Sequence, residues 1–194
     1  MNSSREGASS ARSVKLLTGG VIMTIATYGL LSSYQSVVLN HVVESYHLTG
    51  GGQGIMSSFI NIGAVAAFLV SPLMQGRIKK TTMMLLGASI LVLSFFLLGA
   101  GRALAALIFA SLLTGIGFGW VDATCNAEMV DLHHDDSAKY LGFLHGGFGV
   151  GALIAPILIA SLLTLVSWHT VSYLLAGLIG LAAYRYGNKA ALAK

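Results

Sequence analysis

ALAALIFASLLTGIGFGWVDATCNAEM, residues 103–129, is the stretch that decides the fold. It exceeds the about 20 mostly apolar residues that cross ~30 Å of hydrocarbon. Within it Gly115, Gly119, Asp122 and Asn126 stand at spacings of four, three and four. That periodicity puts the four on one stripe of a helix. The run therefore reads as a membrane-spanning helix with small residues and a carboxyl group on one face.

Working outward, five further runs of the same kind appear. They cover about Val14–Asn40, Gln53–Met74, Thr81–Ala100, Ala138–Leu165 and Trp168–Tyr186. The composition agrees: 55% of the 194 residues are hydrophobic and only 9% are charged, against about 25% charged in a soluble domain. The mean hydropathy is +0.79. A β-barrel would show short alternating segments, whereas these runs are long and continuous. The expected fold class is all-α integral membrane, with six transmembrane helices. Residues 1–13 read as a polar cytoplasmic tail, 14–186 as the bundle and 187–194 as a cytoplasmic tail. The apolar run after the first tail is too long for the core of a signal peptide.

The basic residues are placed unevenly. With six spans, Arg5, Arg12, Lys15, Arg77, Lys79, Lys80, Lys139, Arg185, Lys189 and Lys194 fall on one side, and Arg102 alone on the other. This asymmetry puts both termini in the cytoplasm of a plasma-membrane protein. The net charge of +4 is thus an orientation signal and no footprint of nucleic acid. Cys125 is the single cysteine and reads as packing.

Ile62-Gly63-Ala64-Val65-Ala66-Ala67, with Pro72 beyond, is echoed by Val150-Gly151-Ala152-Leu153-Ile154-Ala155, with Pro156 beyond. The two segments lie in spans two and five, the middle spans of two three-helix units. Inverted three-plus-three repeats of this kind build the halves of many transporters.

Several polar groups stand at mid-depth. Asp122 is costly in hydrocarbon, by about 2.5–3.5 kcal/mol on insertion scales, so it is expected to face a cavity or a partner and to carry a proton or bind a solute. His145 sits at similar depth on the next span and could share a proton with it. Thr24, Tyr28, Ser32 and Gln35 form a polar stripe on span one, which suits a cavity wall or bonds between helices. The glycines Gly115 and Gly119 suit close helix packing. Spans three and six are mainly Leu, Ile, Val, Ala, Met and Phe and read as peripheral. His133-His134-Asp135-Asp136 reads as a solvated loop, not a metal site, because adjacent ligands rarely close one. No phosphate loop, nucleophile triad or zinc-protease motif is present, and Asp122 and His145 lack a second carboxylate or nucleophile. An enzyme, an ATP-driven pump and a cofactor are not expected.

Gly115-Ile116-Gly117-Phe118-Gly119-Trp120-Val121-Asp122, followed by Asn126, resembles the fourth helix of major facilitator superfamily transporters, in particular the fucose permease-like branch of sugar:proton symporters. Leu144-His145-Gly146-Gly147-Phe148-Gly149-Val150-Gly151-Ala152, ending at Pro156, resembles the fifth helix of that branch. Ser71 to Lys80 resembles the superfamily marker between helices two and three, with Leu73 and the paired bases kept and Gln75 at its acidic position. The resemblance implies one half of a major facilitator fold, with helices one and four lining the cavity, two and five meeting the other half, and three and six facing lipid. It makes Gly147 and Gly151 packing residues on helix five.

The expectation is a transporter half that moves a small polar solute such as a sugar, with proton coupling, by alternating access with a second six-helix half. That half would be a homodimer mate or a separate chain. Asp122, Asn126, His145, Tyr28, Gln35 and Ser32 would bind the solute or the proton. The alternative is a truncated or non-transporting membrane scaffold.

Overall fold

The computed structural model describes residues 2–47 and 50–192; the side chains of 2–12, 35, 39, 40, 43, 50, 53 and 192 are outside that description. Within it the chain folds into helices α1 (Asn2–Ser32), α2 (Tyr34–Tyr46), α3 (Gly50–Met74), α4 (Lys80–Ala100), α5 (Leu104–Leu132), α6 (Ser137–Leu163) and α7 (Trp168–Leu192). Five stretches are long and apolar enough to cross a membrane: Ser13–Val38, Gly54–Met74, Lys80–Ala100, Leu104–Leu132 and Ser137–Leu163. The first joins α1 to α2 across a break at Ser33, so the expected single helix Val14–Asn40 is two. α7 is long enough, but His169, Ser172, Tyr173, Tyr184, Arg185 and Tyr186 dilute its apolar run, and it is not among the five. The helices also outrun the expected span limits: α1 begins at Asn2 and α7 continues to Leu192.

The helix ends gather at two ends of the bundle. At one, Thr18 Oγ1 lies 2.7 Å from His133 Nε2, and Lys80 pairs with Asp131 and donates to the Ala127 carbonyl at 2.8 Å. Lys15, Arg77, Lys79 and Lys139 belong to the same end. At the other, Tyr46 donates to the Gly101 carbonyl at 2.6 Å, Trp168 Nε1 to Ser45 at 3.3 Å, and His169 Nδ1 meets the Gly99 carbonyl at 2.9 Å. His133 is thus no free loop residue. Its ring stacks on Tyr140 with centroids 3.3 Å apart, while His134, Asp135 and Asp136 are exposed.

Two close crossings organise the core. α5 lies against α3 where Gly115 meets Ile60 and Ala64; a Cβ on Gly115 would run into the Ile60 carbonyl, and one on Gly63 into that of Leu112. α1 lies against α6 in the same manner, with Gly29 on the Phe148 carbonyl and Gly151 on that of Ala26. In lipid the surrounding chains are as apolar as the side chains, so close packing and hydrogen bonds hold helices together more than burial does. Gly119 adds to the first crossing, 2.8 Å from Ala67 Cβ for an added methyl, and Gly147 to the second, 3.2 Å from Ile22.

α4 corrects the expectation of a peripheral span. Half of its membrane stretch is buried, the largest share of the five, against 22% for α3 and 17% for α6. Its composition is uniformly apolar, but it packs between α5 and α7 and buries Met83, Met84, Leu91 and Phe95. Ser94 fixes that contact, donating to the Ala110 carbonyl at 2.8 Å and meeting Thr114 Oγ1 at 2.5 Å. The outward faces belong to α3 and α6, which expose Ile62, Val65, Leu69 and Leu73, and Val150, Leu153, Ile154 and Ile157.

Candidate functional site

Asp122 sits on α5, half-buried inside the apolar run. One turn on, Asn126 Nδ2 donates to the Asp122 backbone carbonyl at 2.8 Å and to its carboxylate at 3.3 Å. The four-residue spacing sets this contact, since side chains that far apart lie on one helix face. One turn back on the same face, Phe118 meets the Tyr28 ring edge-on, centroids 4.3 Å apart. Phe148 of α6 holds that ring from another side at 5.6 Å. Tyr28 therefore bridges α1, α5 and α6.

His145 is exposed on α6, and no hydrogen bond or ion pair joins it to Asp122 among the described residues. The expected Asp–His pair is therefore not formed as a contact. Asn126 also lines a cleft of about 490 Å³ at the basic end, with Gln75, Gly76, Lys80 and Asp131. Asn126 therefore has one side on that cleft and its amide on the Asp122 carboxylate.

The polar stripe of span one divides. Tyr28 joins the Asp122 cluster. Thr24 satisfies itself on the Gly20 carbonyl at 2.9 Å, and exposed Ser32 on that of Gly29 at 2.8 Å. The side chain of Gln35 is outside the described residues. Asn61 binds the Ser57 carbonyl of its own helix at 3.0 Å. Cys125 is fully buried against Met84, sulfur to sulfur 3.8 Å. Inside the bundle a cavity of about 30 Å³ lies among Tyr34, Phe95, Thr114 and Phe118, room for about one or two waters and no sugar.

Sequence reasoning saw Tyr34 only as added polarity beside the span-one stripe and missed the tie that it makes. Its buried hydroxyl bonds Ser172, which in turn donates to the Trp168 carbonyl at 3.0 Å. This ties α2 to α7 just past the break at Ser33. Tyr34 and Ser172 are far apart in sequence, and neither sits on a stripe that singles it out.

The geometry is that of a polytopic α-helical membrane protein holding a carboxyl group in mid-span beside an open cleft. A family model described as Major Facilitator Superfamily matches residues 19–190, and the chain belongs to that superfamily, whose members are transporters. Major facilitator superfamily domain-containing protein 4A of Danio rerio is 33% identical over 75 residues, 38% of this chain and 14% of that protein. The match therefore spans a small part of that relative's length.

Proposed function

We propose that this chain is a six-span half of a secondary transporter of the sugar:proton symporter kind, moving a small polar solute in concert with a second half. The observation that carries the reading is Asp122: half-buried within the apolar run of α5 and hydrogen-bonded by Asn126, which itself lines a cleft. An intramembrane carboxyl group is a functional residue by default. In this reading it takes the proton or the solute, with Asn126, Tyr28, His145, Gln35 and Ser32 as further binding groups.

α7 serves as the sixth span, because its Lys189 stem reaches back to Gly20 at the basic end from a start beside Gly99. The paired crossings favour a three-plus-three inverted repeat. Exchanging spans one to three with four to six turns the Gly29–Gly151 crossing into the Gly115–Gly63 crossing, which is also the alignment of the two Gly-Ala segments. The small inner cavity argues that the solute site is shared with another bundle, and the exposed faces of α3 and α6 are the surfaces to meet it. The basic end faces the cytoplasm of a plasma membrane, following the distribution of Lys and Arg.

The test is uptake into proteoliposomes. Labelled hexoses and other small polar solutes are offered under an imposed proton gradient, to the chain alone and in the presence of any co-purifying chain. Gradient-dependent uptake that Asp122→Asn abolishes is expected. Uptake unchanged by that substitution removes Asp122 from the mechanism.

A further inference from the structure

A groove of about 260 Å³ opens on the side of the bundle between α1 and α7, away from the Asp122 cluster. On α7 its wall is Leu178, Leu181, Arg185 and Lys189, at spacings of three, four and four, which is one helix face. On α1 it is Gly20, Met23 and Thr27, at three and four. Thr24 and Thr27 give their hydroxyls to backbone carbonyls of their own helix, at 2.9 Å each. The wall therefore offers methyl groups, not donors, to whatever lies on it.

The two ends of the groove differ in chemistry. Leu178 and Leu181 are exposed at one end, as is Met23 on the facing helix. Arg185 and Lys189 stand at the other, and neither has an ionic partner among the described residues. At about 1.5 Å per residue, the run from Leu178 to Lys189 is about 16 Å long, half of a ~30 Å hydrocarbon layer. One leaflet thus matches the groove, with apolar contact at the midplane and two cations at headgroup level. Gly20 makes the lysine's place: Lys189 Cδ lies 3.3 Å from where a Cβ would stand. The cations of the α3–α4 turn have no such setting. Among the described residues Arg77 and Lys79 line neither this groove nor the cleft beside Asn126, and Lys80 is spent on Asp131.

We propose that this groove binds one anionic glycerophospholipid from the leaflet at the basic end. An acyl chain runs along Met23, Thr27, Leu178 and Leu181, and the phosphodiester sits between Arg185 and Lys189. Basic pockets between membrane helices recognise anionic headgroups in this way. The proposal does not depend on transport.

The experiment titrates the full chain in detergent with dioleoylphosphatidylglycerol, dioleoylphosphatidylcholine or inorganic phosphate, read by native mass spectrometry. One phosphatidylglycerol is retained in preference to phosphatidylcholine, and inorganic phosphate does not displace it. R185Q/K189Q weakens retention about thirtyfold, at about fivefold for each basic residue near the surface. R77Q/K79Q leaves it unchanged. Gly20→Leu, which fills the groove without altering charge, lowers it as well. Equal retention of the two lipids overturns the proposal, and so does equal loss in the two double variants, displacement by phosphate, or full retention in Gly20→Leu.

Discussion

Replacing Gly115 by alanine adds one methyl group where α5 lies against α3. The new carbon would stand 2.9 Å from Ala64 N and closer still to the Ile60 carbonyl. Both are backbone atoms of a helix, so no side chain can rotate away. Ordinary contact begins near 3.4 Å, so clearing Ala64 N alone takes about 0.5 Å and clearing the Ile60 carbonyl takes more; a gap of about 0.5–1 Å already forfeits about a quarter to a half of the dispersion energy of the atoms facing it. The loss extends to the neighbouring contacts of Gly119 and Gly63, which depend on the same approach. Overpacking of this kind costs about 1–3 kcal/mol, and the rigid partner puts Gly115→Ala towards the upper figure. Gly142→Ala is the matched control. It sits on α6 with nothing within 4 Å of an added Cβ, so it should be neutral or gain up to about 1 kcal/mol from helix propensity. Unfolding in mixed micelles with rising sodium dodecyl sulfate compares the two. The reasoning is refuted if Gly115→Ala is as stable as the parent, or if Gly142→Ala loses as much.

Other outcomes follow from single contacts. Tyr34→Phe and Ser172→Ala should each cost about 1 kcal/mol, and the double variant should cost clearly less than their sum; additive losses would show that the two hydroxyls do not work together. Lys80→Met should cost under about 1 kcal/mol, because Asp131 is 68% exposed. That cost should shrink with added salt, and a cost unaffected by salt would argue against an ionic origin. His133→Ala should speed protease cleavage of the α5–α6 turn by freeing both the Thr18 contact and the Tyr140 stack. Unaltered cleavage would mean that α5 and α6 hold the turn alone.

Five of the six expected spans were legible in the sequence because hydrocarbon imposes a length and a composition that few soluble helices meet. Asp122 and its stripe were legible for the same reason, since a carboxyl group in such a run is conspicuous. Burial within the bundle was not. The sequence of α4 is apolar on every side, and nothing in it tells a lipid-facing leucine from one packed on α7. Ser33 breaks the first span without a proline or a helix-ending glycine to announce it. The expected Asp122–His145 pair went astray because depth along two helices does not fix direction: His145 is exposed on α6, and which way it points depends on how that helix lies on α1. Tyr34 lay beyond reach, because its partner comes from the far end of the chain.

The crossing of α1 on α6 also sets an order on biogenesis. At about 5–20 residues per second, the roughly 120 residues between Gly29 and Gly151 take on the order of ten seconds to be made. Through that interval the first helix waits in the bilayer with its notch empty, after α3 and α5 have already met. The α1–α6 notch therefore closes later than the α3–α5 one, although Tyr28 of α1 can already meet Phe118 once α5 has been made.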